Sequence, residues 1–271
     1  MIVEFSGVKI NVRQWGSPSA TRGTIALHGF TGSGEDFAAL ADRLGCPFVA
    51  IDFVGHGSSD SPANTEPYTI NFAMDIVAEV VRLLGWKSVD LLGYSMGGRV
   101  ALSIFAQNPD WLLSLTVVGA HAGIEDESER KKRAAHDELL ASRILEIGVD
   151  QFSDEWEQVP ILLSQARIPE PVLSGLRSRR RENDSNGLAS SLRGMGSGVM
   201  PPVWQSLKES SAPAVFVTGS MDHKFTLLAV ELVKSVQSGR MVTLEGAGHT
   251  AHLERPGDFL RLMRSIVNPR K

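Results

Sequence analysis

The sequence predicts an α/β fold: a mostly parallel eight-stranded sheet flanked by helices, with a helical cap inserted after the sixth strand. Three observations predict it. Eight short, β-rich runs recur along the 271 residues, most of them separated by stretches with helical spacing. The last six runs are uninterruptedly apolar rather than alternating, as expected of strands covered on both faces of a parallel sheet. The alternation of strand and helix lapses once, from about residue 122 to 207, where no strand-like run occurs.

Taken in order, IVEF (2–5) and KINVRQW (9–15) read as an antiparallel hairpin with Gly7 at its turn. The six further runs are GTIALH (23–28), PFVAIDF (47–53), VDLLGY (89–94), LTVVGA (115–120), AVFVTG (214–219) and MVTLE (241–245). Between them, NFAMDIVAEVVRLLGW (71–86) has apolar residues at helical spacing, with Asn71 or Thr69 as its cap. AVELVKSVQ (229–237) and PGDFLRLMRSIV (256–267) read as the last two helices, the latter with Pro256 in its first turn. The insertion holds charged helical segments such as ESERKKRAAHDELLASRILEIG (127–148). The expected division is therefore a core of residues 1–121 and 208–271 and a cap of 122–207. In an open parallel sheet, ligands bind at the carboxyl ends of the strands, where such a cap closes a pocket.

Composition excludes several function classes. A 42% hydrophobic and 21% charged chain of this length suits one globular unit that needs no staples. A net charge of −4 argues against a nucleic-acid partner. Cys46 is the one cysteine, so no intrachain disulfide forms, and no zinc-type spacing surrounds it; it reads as a buried structural thiol, with no metal site expected. The first residues lack a basic start followed by an apolar core, and no apolar run approaches the roughly 20 residues that span a bilayer. The expectation is a cytoplasmic protein, a monomer or weak homo-oligomer, without membrane insertion.

The chemistry concentrates in LLGYSMGGRVAL (91–102). Ser95 lies at a strand-to-helix turn between Gly93 and Gly97, and a sharp turn there needs both neighbours to lack side chains. The turn presents the hydroxyl near a helix N-terminus, which favours developing negative charge. A serine needs a base, and the base an orienter. TGSMDHKF, after the seventh strand, offers Asp222; EGAGHTAHLERP, after the eighth, offers His249 in a glycine-rich loop. His252 reads as structural, and His223 precedes the acid-then-histidine order. LHGFTGSGEDF, after the third strand, has the His-Gly-X form of an oxyanion loop, making the N–H groups of Phe30 and Met96 the expected donors. His28 is expected to hold that loop, and Asp52 and His56 to order DFVGHGSSD.

Arg99 stands four positions after Ser95, on the same helical face. It is either a structural helix residue or the grip for a substrate carboxylate, which arginine holds bidentately. The insertion offers further cations, yet between residues 121 and 206 eleven Lys and Arg face fourteen Asp and Glu, so most of these charges belong to solvated faces.

Elbow, His-Gly-Phe loop, DFVGHGSSD, acid loop and histidine loop together resemble the α/β-hydrolase superfamily across nearly the whole chain. GYSMGGRVAL, GAHAGIEDESERKKRAAHDELLA, NGLASSLRGMGSG, TGSMDHKF and GAGHTAHLERP further resemble the 2-succinyl-6-hydroxy-2,4-cyclohexadiene-1-carboxylate synthases of menaquinone biosynthesis. That resemblance implies a lyase needing no cofactor. It would eliminate pyruvate from 2-succinyl-5-enolpyruvyl-6-hydroxy-3-cyclohexene-1-carboxylate, a small anionic substrate with several carboxylates. It implies one carboxylate-binding arginine at Arg130 or Arg133 and another in the Arg177 to Arg181 cluster, with Arg181 the residue matched. Tyr94 and Trp156 match pocket residues of the family or are plain packing. The rival readings are a serine hydrolase of the same fold, acting on esters or carbon–carbon bonds, and a non-catalytic ligand-binding member.

Overall fold

A computed structural model describes residues 1–17 and 20–268. The chain opens with β1 (Ile2–Phe5) and β2 (Val8–Trp15), an antiparallel hairpin whose Ser6 and Gly7 both take positive φ, 51° and 77°. β3 (Arg22–Leu27), α1 (Ala38–Leu44) and β4 (Phe48–Ile51) follow. Next come α2 (Ile70–Leu84), β5 (Ser88–Tyr94), α3 (Met96–Gln107) and β6 (Leu112–Val118). Thr69, not Asn71, caps α2 by accepting the Phe72 N–H.

The connection from β6 to β7 (Ala214–Gly219) carries α4 (Glu127–Glu157), α5 (Val172–Arg181) and α6 (Ser185–Met195). α7 (His223–Ser235), β8 (Gly239–Leu244), α8 (Ala251–Glu254) and α9 (Pro256–Val267) complete the chain. The eight strands form one sheet in the order β1-β2-β4-β3-β5-β6-β7-β8, parallel from β4 through β8. Among the described residues no helix is long and apolar enough to cross a membrane.

The apolar runs are strands because burying both faces of β3, β5, β6 and β7 removes most of their side chains from water, at roughly 25 cal/mol per Å² of apolar surface. One core packs α2 and α3 against one face; a second, with α1 and α9, covers the other. β8 departs from the expectation: as the edge strand it is largely exposed, and of its residues only Leu244 is buried. Two helices also run longer than the pattern predicts. α7 starts at His223, because Asp222 caps it by accepting the Phe225 N–H at 3.3 Å. α4 runs past Gly148, which breaks it locally with φ 76°, through Trp156. A small core of Ala141, Ile144, Phe152, Leu188, Ala189 and Leu192 joins α4 to α6, and Phe30 and Trp156 pack against it. The helices of the connection therefore stand over the carboxyl ends of β3 and β5.

Candidate active site

Ser95 sits between β5 and α3 with φ 49° and ψ −106°, a conformation that non-glycine residues rarely adopt. Its neighbours show why the turn needs glycine. A Cβ on Gly97 would lie 2.2 Å from the Leu27 carbonyl oxygen, and one on Gly93 would lie 2.5 Å from that of Gly97. Backbone bonds lock the turn: Ser95 N–H donates to the Val118 carbonyl and Gly97 N–H to that of His28, each at 2.9 Å.

Ser95, Asp222 and His249, three loops apart in sequence, meet here. His249 Nε2 lies 3.0 Å from Ser95 Oγ, and its Nδ1 lies 2.7 Å from Asp222 Oδ2. The histidine loop is held by Glu254, a buried carboxylate that accepts the N–H groups of Gly248 at 2.7 Å and Thr250 at 3.1 Å. Gly119, with φ 58°, leaves room for the imidazole; a Cβ there would come within 2.7 Å of its Cε1.

The N–H of Met96, first residue of α3, has no intrahelical partner. Neither it nor the N–H of Phe30 donates to an acceptor among the described residues. Both residues line the same cavity as Ser95. His28 ties down their loop: its Nε2 accepts the Phe53 N–H at 3.0 Å while Nδ1 donates to the Gly29 carbonyl at 2.8 Å. Burial pushes its pKa down, consistent with that neutral tautomer. Asp52 accepts the Gly34 N–H at 2.6 Å and the Ser58 N–H at 2.9 Å, and so orders both flanking loops. His252 is buried against Tyr94 and Phe37, with its pKa pushed by burial to about 3.

The cavity measures about 560 Å³, and four cations line it: Arg99, Arg133, Arg180 and Lys224. Asp36 is the single carboxylate among its described lining residues, and Arg179 already pairs with it at 2.7 Å. Arg99 is 8% exposed; its guanidinium donates to Ser197 Oγ and, at 2.7 Å, to the Met195 carbonyl, while Nε has no partner. Burial, and then Arg133 nearby, bring its pKa down to about 10. Trp156 lines the cavity and meets Phe30 edge-on at 5.4 Å. Tyr94 lines it too, its hydroxyl 3.0 Å from Thr250 Oγ1.

Two expected residues are not brought to the cavity. Arg130 turns back onto the start of α4 and donates to the Ile124 and Glu125 carbonyls. Arg181 pairs with Asp154 at the surface. One residue along an α-helix is a rotation of about 100°, and it is Arg180, 4% exposed, that faces inward. Its Nη2 donates to Gln165 Oε1 at 2.6 Å, whereas Nε and Nη1 lack hydrogen-bond partners. Sequence reasoning also missed Glu254, Gln165, Thr250 and Lys224. Gln165 and Thr250 meet only in the fold, through the 2.6 Å bond from Gln165 Nε2 to Thr250 Oγ1, and Glu254 draws Ser164 Oγ to it from ninety residues away, while Lys224 is brought to the cavity by the start of α7.

Comparisons with known proteins agree in direction. Residues 25–256 match the family model described as alpha/beta hydrolase fold. A Bacillus subtilis (strain 168) protein, provisionally named a 2-succinyl-6-hydroxy-2,4-cyclohexadiene-1-carboxylate synthase, is 35% identical over 262 residues, covering 96% of this chain and 95% of that protein. The 2-succinyl-6-hydroxy-2,4-cyclohexadiene-1-carboxylate synthase of Salmonella typhimurium (strain LT2) is 29% identical, covering 94% and 95%. Among solved structures, MenH from S. aureus superposes with a TM-score of 0.88 at 25% identity, over 94% of this chain and 97% of that one.

Proposed function

The chain belongs to the α/β-hydrolase fold family and, within it, to the 2-succinyl-6-hydroxy-2,4-cyclohexadiene-1-carboxylate synthases, and from that premise we propose how its residues carry out the reaction. The protein is a lyase of menaquinone biosynthesis. Its substrate is 2-succinyl-5-enolpyruvyl-6-hydroxy-3-cyclohexene-1-carboxylate, and the products are the cyclohexadiene and pyruvate.

One observation carries the assignment of roles: among the described residues, the cavity that opens onto Ser95 is lined by four cations, of which Arg133 pairs with Asp137 and Arg180 lies 3.5 Å from Glu157, and by one carboxylate, itself paired with Arg179. A neutral ester does not require that arrangement, whereas a substrate with several carboxylates does. In this reading His249, oriented by Asp222, takes the Ser95 proton. The alkoxide removes the proton from the ring carbon next to the succinyl ketone. The Phe30 and Met96 N–H groups stabilise the resulting enolate oxygen. Electrons then move through the ring double bond and break the carbon–oxygen bond to the enolpyruvyl group, which leaves as the enolate of pyruvate and is protonated. Arg99, Arg133 and Arg180 hold substrate carboxylates, with Arg180 replacing Arg181 in that role, and Tyr94 and Trp156 shape the ring site. Residues 122–207 act as the cap. The reading extends to a cytoplasmic enzyme, monomeric or weakly homo-oligomeric.

The test is pyruvate release from the enolpyruvyl substrate, followed by coupled reduction of the pyruvate. Wild-type protein is expected to release it and Ser95→Ala to lose activity by about 10²–10⁴-fold, the usual contribution of a positioned proton-transfer group. Folded wild-type protein that releases none would overturn the assignment.

A further inference from the structure

Ser197 follows α6 and lines the cavity beside Arg99, yet no step above uses it. Its hydroxyl oxygen has two neighbours: the Arg99 guanidinium, which can only donate, and His121 Nε2 at 3.2 Å. The tautomer of His121 is settled by its other nitrogen, which accepts the Gly123 N–H at 3.0 Å. A neutral imidazole with Nδ1 accepting carries its proton on Nε2, so His121 also donates to Ser197. Burial, followed by the charges of Arg99, Arg133 and Lys224, holds the His121 pKa near 3, so the ring stays in that form across the physiological range.

The Ser197 oxygen thus accepts twice, and its own proton is left to donate. Among the described residues no acceptor takes it. A second donor in the same corner is also unused, the Nε–H of Arg99, which is buried without a partner. Two unfilled donors at one wall of a cationic cavity are a costly arrangement unless an anion completes them.

We propose that Ser197 is a substrate-binding residue, donating its hydroxyl proton to a carboxylate oxygen held by Arg99, and that His121 is the positioning residue that aims it. The carboxylate receives one charged and one neutral donor, while the neutral imidazole fixes the hydroxyl rotor without adding charge. The identity of the ligand rests on the lyase reading; the donor geometry does not.

The test separates the two. 2-(3-Carboxypropanoyl)benzoate is an aromatic molecule that carries both the ring carboxylate and the succinyl arm and has no enolpyruvyl group to eliminate. By calorimetry, Ser197→Ala is expected to bind it about 10- to 100-fold more weakly than wild type, the usual loss for a hydrogen bond to a charged group. The dimethyl ester, which lacks the anionic acceptor, is expected to bind both proteins equally. Ser197→Thr keeps the hydroxyl and is expected to restore binding of the dianion to within a few-fold. His121→Phe is expected to weaken it, and Ser197→Ala/His121→Phe to be no weaker than Ser197→Ala alone. In turnover, the loss in Ser197→Ala is expected in KM, with kcat within about threefold of wild type. Should Ser197→Ala fold poorly, Ser197→Cys, a weak donor, gives the same reading. Equal binding of the dianion by wild type and Ser197→Ala, an equal loss for the ester, or no binding by wild type would overturn the proposal. Absence of pyruvate release with normal dianion binding would instead count against the lyase reading alone.

Discussion

Replacing Arg99 with methionine should move stability and substrate affinity very differently, and the size of each effect follows from the site. The guanidinium is 8% exposed, and burial together with Arg133 lowers its pKa to about 10. A drop of that size corresponds to about 3 kcal/mol of unfavourable surroundings for the charged form, which Arg99→Met removes. Against that stands the loss of its bonds to Ser197 Oγ and the Met195 carbonyl, of order 1–3 kcal/mol for newly unpaired buried groups. The two nearly cancel, so the melting temperature should stay within about 5 °C of wild type, allowing 2–4 °C per kcal/mol for a domain of this size. No such compensation exists for the substrate. Losing the charged donor to one carboxylate should cost about 1.5–3 kcal/mol, or roughly 10- to 100-fold in KM. The assays are differential scanning calorimetry and steady-state pyruvate release on the same preparation. A fall in stability of more than about 10 °C with KM unchanged would refute the reasoning, since Arg99 would then be a structural residue.

Three further outcomes follow from the same geometry. Arg180→Ala should raise KM at least tenfold while Arg181→Ala leaves it within twofold, because only the former faces the cavity; the same pyruvate assay ranks them. Gly97→Ala should destabilise the protein by several degrees and lower activity about 100-fold, because its Cβ would strike the Leu27 carbonyl; Gly257→Ala, whose Cβ would meet nothing nearer than 3.9 Å, should be neutral in the same thermal melts. Acid should also unfold the protein early. Burial brings His56, His121 and His252 to about 3, so between about pH 6.5 and pH 3 the unfolded chain binds protons that the folded chain excludes, and stability falls as pH falls. At pH 5 each costs about 2 kcal/mol relative to pH 8, so the melting temperature should drop by about 10 °C or more; a flat profile would contradict the buried neutral state.

Which parts of this site are legible in the sequence depends on the range of the forces that build it. The elbow is legible because its demand is local: Gly93 and Gly97 are required by backbones within a few residues of Ser95 or by the adjacent strand. Arg99 is legible because helical periodicity alone puts it on the Ser95 face. Asp222 and His249 follow from the order of loops at one end of a parallel sheet. By contrast, the sequence does not separate Arg180 from Arg181, because the four arginines of RSRRR look equivalent until the rotation of α5 against Gln165 and Glu157 selects one. Gln165 acts through a bond to Thr250 of the histidine loop, and Glu254 is in part held by Ser164, and both bonds depend on tertiary docking. β8 misled for a similar reason: MVTLE is apolar enough for a covered strand, yet its place at the sheet edge is a property of the whole topology.

The central claim is that Ser95 breaks a carbon–hydrogen bond of a polyanionic substrate rather than transferring an acyl group. Proton NMR of the complete reaction mixture tests it most directly. The account predicts pyruvate and the cyclohexadiene in equal amounts with the succinyl arm intact. Release of succinate, the product of carbon–carbon hydrolysis, or substrate left unconsumed by folded protein would contradict it.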